Sequence, residues 1–175
     1  YQGIVKPLVA EGISRRYIGE VSRAIRYHKR ALNISQEKEY GWGIAYSLNN
    51  LGSDYVDQDE IDEALKHYEE ALRIDRKTGY RIGEVADLGN IGHAYACKND
   101  YPRATKHLKE AIKISKNIGD RKGEAKAEAI LGLVCEKEGN LEDAIKHYNN
   151  ALKIVEKIGY RRRIGQLYVN LGNAY

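Results

Sequence analysis

Apolar residues recur along the chain at intervals of three and four. Ala64, Leu65, Tyr68, Ala71 and Leu72 form one series, continued by Asp75, and Leu48, Leu51, Gly52 and Tyr55 form another just before it. This i, i+3/i+4, i+7 recurrence marks amphipathic helices. The helical pattern itself repeats. Gly12, Gly52, Gly92, Gly132 and Gly172 stand forty residues apart, and in the same register come Ala24, Ala64, Ala104 and Ala144, then Ala31, Ala71, Ala111 and Ala151, then Ile34, Ile74, Ile114 and Ile154. Four series in one register define a forty-residue unit, present at approximately 1–40, 41–80, 81–120 and 121–160, with a half unit at 161–175. The spacing predicts one domain over 1–175.

Each unit reads as helix, tight turn, helix, tight turn. Between the helices stand Gly19, Asp59, Asn99 and Gly139, residue types that tolerate the left-handed backbone such a turn needs. Asp100 and Asn140 follow as N-cap residues, while Glu20 and Glu60 bring negative charge to the positive end of the helix dipole. Pro102 falls in a first turn, where a missing N–H costs nothing. Gly79, Gly119 and Gly159 terminate second helices, and the first copy has Glu39 there. The predicted helices are roughly 15–17 residues, or about 25 Å long. Gly on the first helix and the two Ala on the second let paired helices approach closely, with larger neighbouring side chains filling the space. One pair cannot bury its own apolar stripe, so the pairs stack. The predicted fold is all-α: a right-handed α-solenoid of four helix pairs plus a final single helix, which covers the apolar end of the fourth pair.

The motif Leu51-Gly52-x-x-Tyr55 followed by Ala64, Tyr68 and Ala71 resembles the tetratricopeptide repeat, and the resemblance extends over essentially the whole chain. It recurs as Ile91, Gly92, Tyr95, Ala104, Leu108, Ala111 and as Leu131, Gly132, Ala144, Tyr148, Ala151. The standard repeat has about 34 residues and closes with Pro. Here the unit is six longer, and Gln36, Arg76, Lys116 and Glu156 stand where that Pro would be. Leu88-Gly89-Asn90-Ile91-Gly92, Gly119-Asp120-Arg121-Lys122-Gly123-Glu124 and Leu171-Gly172-Asn173-Ala174-Tyr175 are similar to the longer-repeat subgroup. That subgroup includes Leu-Gly-Asn-repeat adaptors, kinesin light chains and prokaryotic regulatory arrays.

Composition narrows the class. With 42% hydrophobic and 31% charged residues the chain is foldable and helix-compatible, and 2 Pro and 2 Cys exclude collagen-like and disulfide-scaffold readings. No apolar run approaches the roughly 20 residues that cross a bilayer. The chain begins at Tyr1 without Met and shows no secretory signal, which predicts a fragment of a cytoplasmic protein. The formal charge of +4 is unevenly spread. Residues 1–40 carry eight basic and four acidic side chains, 41–80 carry four and nine, and Arg161, Arg162 and Arg163 make the end basic. Such a pattern can orient a charged partner, although solvated helix faces produce it too. Nucleic-acid binding through Arg15, Arg16 and Arg161–Arg163 is set aside, because aromatics do not interleave with them on one continuous face.

Candidate chemistry is sparse. No hydrolase elbow, P-loop, dinucleotide fingerprint or zincin helix appears, so neither an enzyme nor a cofactor is expected. His67, His107 and His147 recur, but packed helices lie 8–10 Å apart and equivalent positions cannot share an ion. Their place just before the buried aromatic or Leu predicts outer-surface side chains and no metal site. Cys135 takes the place of Tyr55 and Tyr95 as a small packed hydrophobe, and Cys97 and Cys135 are expected to be reduced.

The resemblance puts the first helices on a concave side. It implies a peptide-binding groove containing Tyr46, Asn49, Asn50, Asn90, His93, Lys126, Ile130, Leu133, Gln166, Asn170 and Asn173. Asn50, Asn90 and Asn170 sit two before their glycines, where the subgroup clamps an extended partner's backbone; an amide donates and accepts at once. The carboxylate clamp of chaperone-tail binders needs Lys three before the glycine and Asn just after it. Only Asn173 matches, so Hsp70 or Hsp90 tails are not the expected partner. The expected function is a non-catalytic scaffold that holds a peptide or helix of another protein. The alternatives are a ligand- or peptide-sensing regulatory module of a larger signalling or transcription protein, and a structural solenoid that self-associates through its ends.

Overall fold

A computed structural model describes the backbone of residues 2–174, and their side chains except at 2, 161–164, 166 and 173. Among the described residues the chain forms nine helices and no strand: α1 (Gln2–Tyr17), α2 (Val21–Glu37), α3 (Gly41–Asp57), α4 (Ile61–Thr78), α5 (Arg81–Cys97), α6 (Tyr101–Ile118), α7 (Arg121–Lys137), α8 (Leu141–Lys157) and α9 (Arg161–Ala174). The order is four pairs and a final helix, as the spacing predicts. Every turn contains one residue in the left-handed region. Gly19, Asp59, Asn99 and Gly139 have φ of 82°, 63°, 59° and 80°, and Glu39 is left-handed at 50° where the later repeats use glycine. The caps divide as their chemistry requires. Asp100, Asp120 and Asn140 each accept from the backbone N–H three residues on, whereas Glu20 and Glu60 make no side-chain cap bond.

The glycine register has a direct steric cause. A Cβ added at Gly52 or Gly132 would lie 2.6 Å from the ring of Tyr68 or Tyr148, and one at Gly92 equally close to Leu108. In each case the glycine of the first helix seats the large side chain of the second. At Gly12 the seated ring is His28, fully buried, with Nδ1 2.5 Å from Asp54 Oδ2 and Nε2 3.3 Å from the Val9 carbonyl. The alanines of the second helices, Ala24, Ala64, Ala104 and Ala144, are fully buried, which is the close approach their size allows.

The chain forms two compact units, 1–90 and 91–175. Within each, packed helices are neighbours or next-but-one along the chain: α1 with α2 and α3, α2 with α3, and α3 with α4 in the first, and α6 with α7, α7 with α8 and α9, and α8 with α9 in the second. The first unit buries Val5, Val9 and Ala31 in one cluster and Ala45, Leu48 and Ala71 in another. In the second, Ala144, Tyr148, Ala151, Val155, Leu167 and Leu171 form a cluster that α9 helps to close. No helix among the described residues is long and apolar enough to cross a membrane.

Candidate functional site

In the first unit the candidate side chains sit on α3 and the middle of α5, and two of them, Asn49 and Asn90, join one polar network. Asn49 donates from Nδ2 to Asp87 Oδ1 at 2.5 Å, and Asn90 donates from Nδ2 to Asn49 Oδ1 at 3.1 Å. Asn50 is buried, and its Nδ2 donates to the Tyr46 carbonyl one turn back at 2.8 Å. The three amides therefore differ. Asn49 and Asn90 are half-buried and laced together, and Asn50 braces its own helix. Tyr46 is half-buried, and burial raises its hydroxyl pKa.

Beside it stands a group that periodicity does not reveal. Trp42 stacks on Tyr46 with centroids 4.8 Å apart, Tyr40 lies 5.7 Å from Trp42, and the Lys6 ammonium sits 5.3 Å from the Trp42 ring. The chain's single Trp thus joins an aromatic row capped by a cation, a composition enriched at interface anchors. Its equivalents Ile82 and Lys122 are not aromatic. The available signal was the rarity of the residue.

Below that network lies a cluster of acids. Asp75, Glu84 and Asp87 are each at most 3% exposed. Arg76 and Arg81 reach Glu84 at 3.0 and 2.5 Å. Burial pushes the Asp75 carboxyl up to about 6; the Asp87 hydrogen bond opposes this and the Glu84 charge reinforces it.

In the second unit the strip is more apolar. Lys126, Ile130 and Leu133 of α7 are half-buried, as is His93 of α5, whose pKa is lowered by burial and further by the Lys126 charge. Cys97 Sγ lies 4.0 Å from His93 Nε2 and is exposed, and Cys135 is buried. Behind the strip, Glu128 is buried where Leu48 and Leu88 stand in earlier repeats; His147 Nδ1 lies 2.7 Å from it and Asn150 donates to it at 3.4 Å. On α9 Asn170 is half-buried and Val169 is 56% exposed. The side chains of Gln166 and Asn173 lie outside the described residues.

The recurrent histidines are not on the outer surface. His67 stacks on Tyr55 at 5.2 Å and His107 on Tyr95 at 5.7 Å, while His147 pairs with Glu128, so all three are half-buried between paired helices. A residue one place before a buried side chain lies only about 100° around the helix. That turns it toward the partner helix rather than to solvent. Among the described residues no group of three or more His, Cys, Asp or Glu is placed to hold a metal ion.

Two family models described as tetratricopeptide repeat match residues 43–117 and 125–157. No curated protein matches the chain by sequence. Among solved structures, RapI in its apo form is 20% identical with a TM-score of 0.86, covering 99% of this chain and 63% of its own. Aspartyl phosphate phosphatase F from Bacillus subtilis is 16% identical with a TM-score of 0.85 over 95% of this chain and 44% of its own. BtubC (BKLC) from P. vanneervenii is 20% identical at 0.84, over 99% and 72%. The chain thus spans less than two thirds of the length of the first two. At these identities the likeness is one of fold.

Proposed function

The chain belongs to the tetratricopeptide repeat family, and from that premise we propose that it is a non-catalytic protein-interaction scaffold holding a peptide or helical segment of a partner on its first-helix faces. The observation that carries the reading is the partial exposure of side chains suited to a peptide on those faces. In the first unit they are Tyr46, Asn49 and Asn90 beside the Trp42 row, and in the second His93, Lys126, Ile130 and Leu133. An extended segment needs amides for its backbone and apolar ground for its side chains, and each unit supplies some of both. Asn50 serves this surface indirectly, by fixing the turn of α3 that carries Tyr46. Asn170, Gln166 and Asn173 would extend the surface along α9.

Panning a displayed peptide library against the chain tests the reading. Recovered peptides should lose affinity with Asn90→Ala by roughly five- to 150-fold, the range for a hydrogen bond whose partner stays buried and unmatched. Leu133→Asp or Ile130→Asp should cost at least as much by setting a charge on apolar ground. Lys113→Ala, exposed on α6, should leave binding unchanged. Peptides that bind the Asn90 and Leu133 variants like the parent, yet fail with an outer-face variant, would overturn the assignment.

A further inference from the structure

The first repeat departs from its successors in the cleft between its two helices. In the second and third repeats this cleft is filled by a ring pair, Tyr55 on His67 and Tyr95 on His107. In the same register the first repeat has Arg15 in the tyrosine's place and Tyr27 in the histidine's. A third exchange adds charge, since Arg30 stands where the later repeats have Glu70, Glu110 and Asn150. Arg23 stands where the second and fourth repeats have Glu63 and Asp143. The outcome is a cavity of about 300 Å³ lined by Arg15, Arg23, Arg26, Tyr27 and Arg30.

Part of this charge is answered within the protein. Arg15 reaches Glu11 at 2.6 Å and Glu20 at 3.2 Å, and Arg23 reaches Glu20 at 2.9 Å. Arg26 and Arg30, one turn apart on α2, have no acidic partner among the described residues. Four guanidinium groups against two carboxylates leave two positive charges facing one small cavity. A carboxylate ligand would answer one of them. A phosphate monoester carries about −1.5 to −2 near neutral pH and offers three terminal oxygens, which match paired guanidinium forks and a hydroxyl donor.

We infer that the α1–α2 cleft of the first repeat binds a phosphate monoester, held by Arg26 and Arg30 with the Tyr27 hydroxyl and with Arg15 and Arg23 closing the cavity. Glu11 and Glu20 hold Arg15 and Arg23 in place, so the site is preformed rather than assembled by the ligand. It uses Arg15 of α1 and Arg23, Arg26, Tyr27 and Arg30 of α2, and none of the residues proposed to hold a peptide. The two readings therefore stand or fall separately.

The same group can arrive as free orthophosphate or on a phosphorylated side chain. Amide chemical-shift titrations with inorganic phosphate and with N-acetyl-phosphoserine amide distinguish these sources, and tighter binding of either probe supports the site. Both should saturate and shift amides at the end of α1 and along α2. Binding should tighten severalfold from pH 5 to pH 7.5, as the second phosphate proton leaves, near pH 6 for the phosphoserine ester and about one unit higher for orthophosphate, whereas sulfate should bind alike at both. Arg26→Gln combined with Arg30→Gln should weaken phosphate by about tenfold or more, given two charge-assisted contacts. Arg30→Glu installs the residue that repeats two and three carry, so it keeps the fold and should abolish binding. Arg103→Gln in the third repeat should change nothing. Acetate binding as well as phosphate, equal binding by the Arg30→Glu variant, or shifts spread over all basic surfaces without saturation would overturn the inference.

Discussion

Asp75 shows how one residue can set a pH dependence for the fold. Its counterparts Ser35 and Ser115 are small and return their hydroxyls to the Ala31 and Ala111 carbonyls at 2.8 and 2.7 Å. Asp75 is larger and ionisable, and a Cβ added at Gly83 would collide with its carboxylate. Its neighbours are Asp87 and Glu84, with Arg76 and Arg81 both drawn to Glu84. Raised from an ordinary 3.8 to about 6, the carboxyl binds its proton more tightly in the folded chain than in the unfolded one. The corresponding stability is complete below pH 3.8 and is lost as pH rises through 6. Asp75→Asn keeps the shape, removes the charge and offers a donor toward Asp87. Urea denaturation should find the variant more stable than the parent at pH 8, on the order of 2–3 kcal/mol at about 1.4 kcal/mol per pH unit. The difference should shrink toward pH 4. A constant difference between pH 4 and pH 8 would mean that titration of Asp75 is not the cause.

At the level of the helix pair, the turns and caps were the most legible part of the sequence. Left-handed backbone admits few residue types, so Gly19, Asp59, Asn99 and Gly139 announce themselves. The exception yields a prediction. Glu39 adopts φ 50° where the second, third and fourth repeats place Gly79, Gly119 and Gly159. A side chain with a Cβ is strained there by about 1 kcal/mol, and a glutamate cannot make the local hydrogen bond that helps Asp or Asn. Glu39→Gly should therefore raise the melting temperature by a few degrees, and Gly79→Glu should lower it by a similar amount. Opposite signs in paired thermal melts would show that Glu39 makes a compensating interaction. Less legible were the flanks of the helices. Spacing identifies which residues face the core but not how far those beside them turn, so it points the histidines outward, whereas they pack against Tyr55, Tyr95 and Glu128. Likewise, the recurrence of Asn50 with Asn90 could not tell an amide that reaches outward from one bonded to its own helix.

Across the whole molecule, the forty-residue register made the fold readable because it is enforced by sterics in each of the four helix pairs. A glycine appears wherever a ring or a leucine of the paired helix needs its space. Trp42, Arg15 and Arg30 lie outside that pattern because each occurs in one copy only, and repetition carries no information about what is not repeated. The packed helix pairs within each unit are neighbours or next-but-one in the chain, so stability is a sum of local interfaces. A lesion at one glycine should then weaken the fold in order of distance along the chain. Gly132→Val forces a branched side chain into the Tyr148 ring, at a cost of about 3 kcal/mol when a close-packed interface is overfilled. Native-state hydrogen exchange should show α7 and α8 amides losing roughly 100-fold in protection, which is about 3 kcal/mol expressed as an opening equilibrium. The loss should be smaller in α6 and α9. In α1 and α2 protection should match the parent, because no neighbour of theirs has been disturbed. Equal losses from α1 to α8 would mean that the chain opens as one cooperative body, and the local-interface account would then fail.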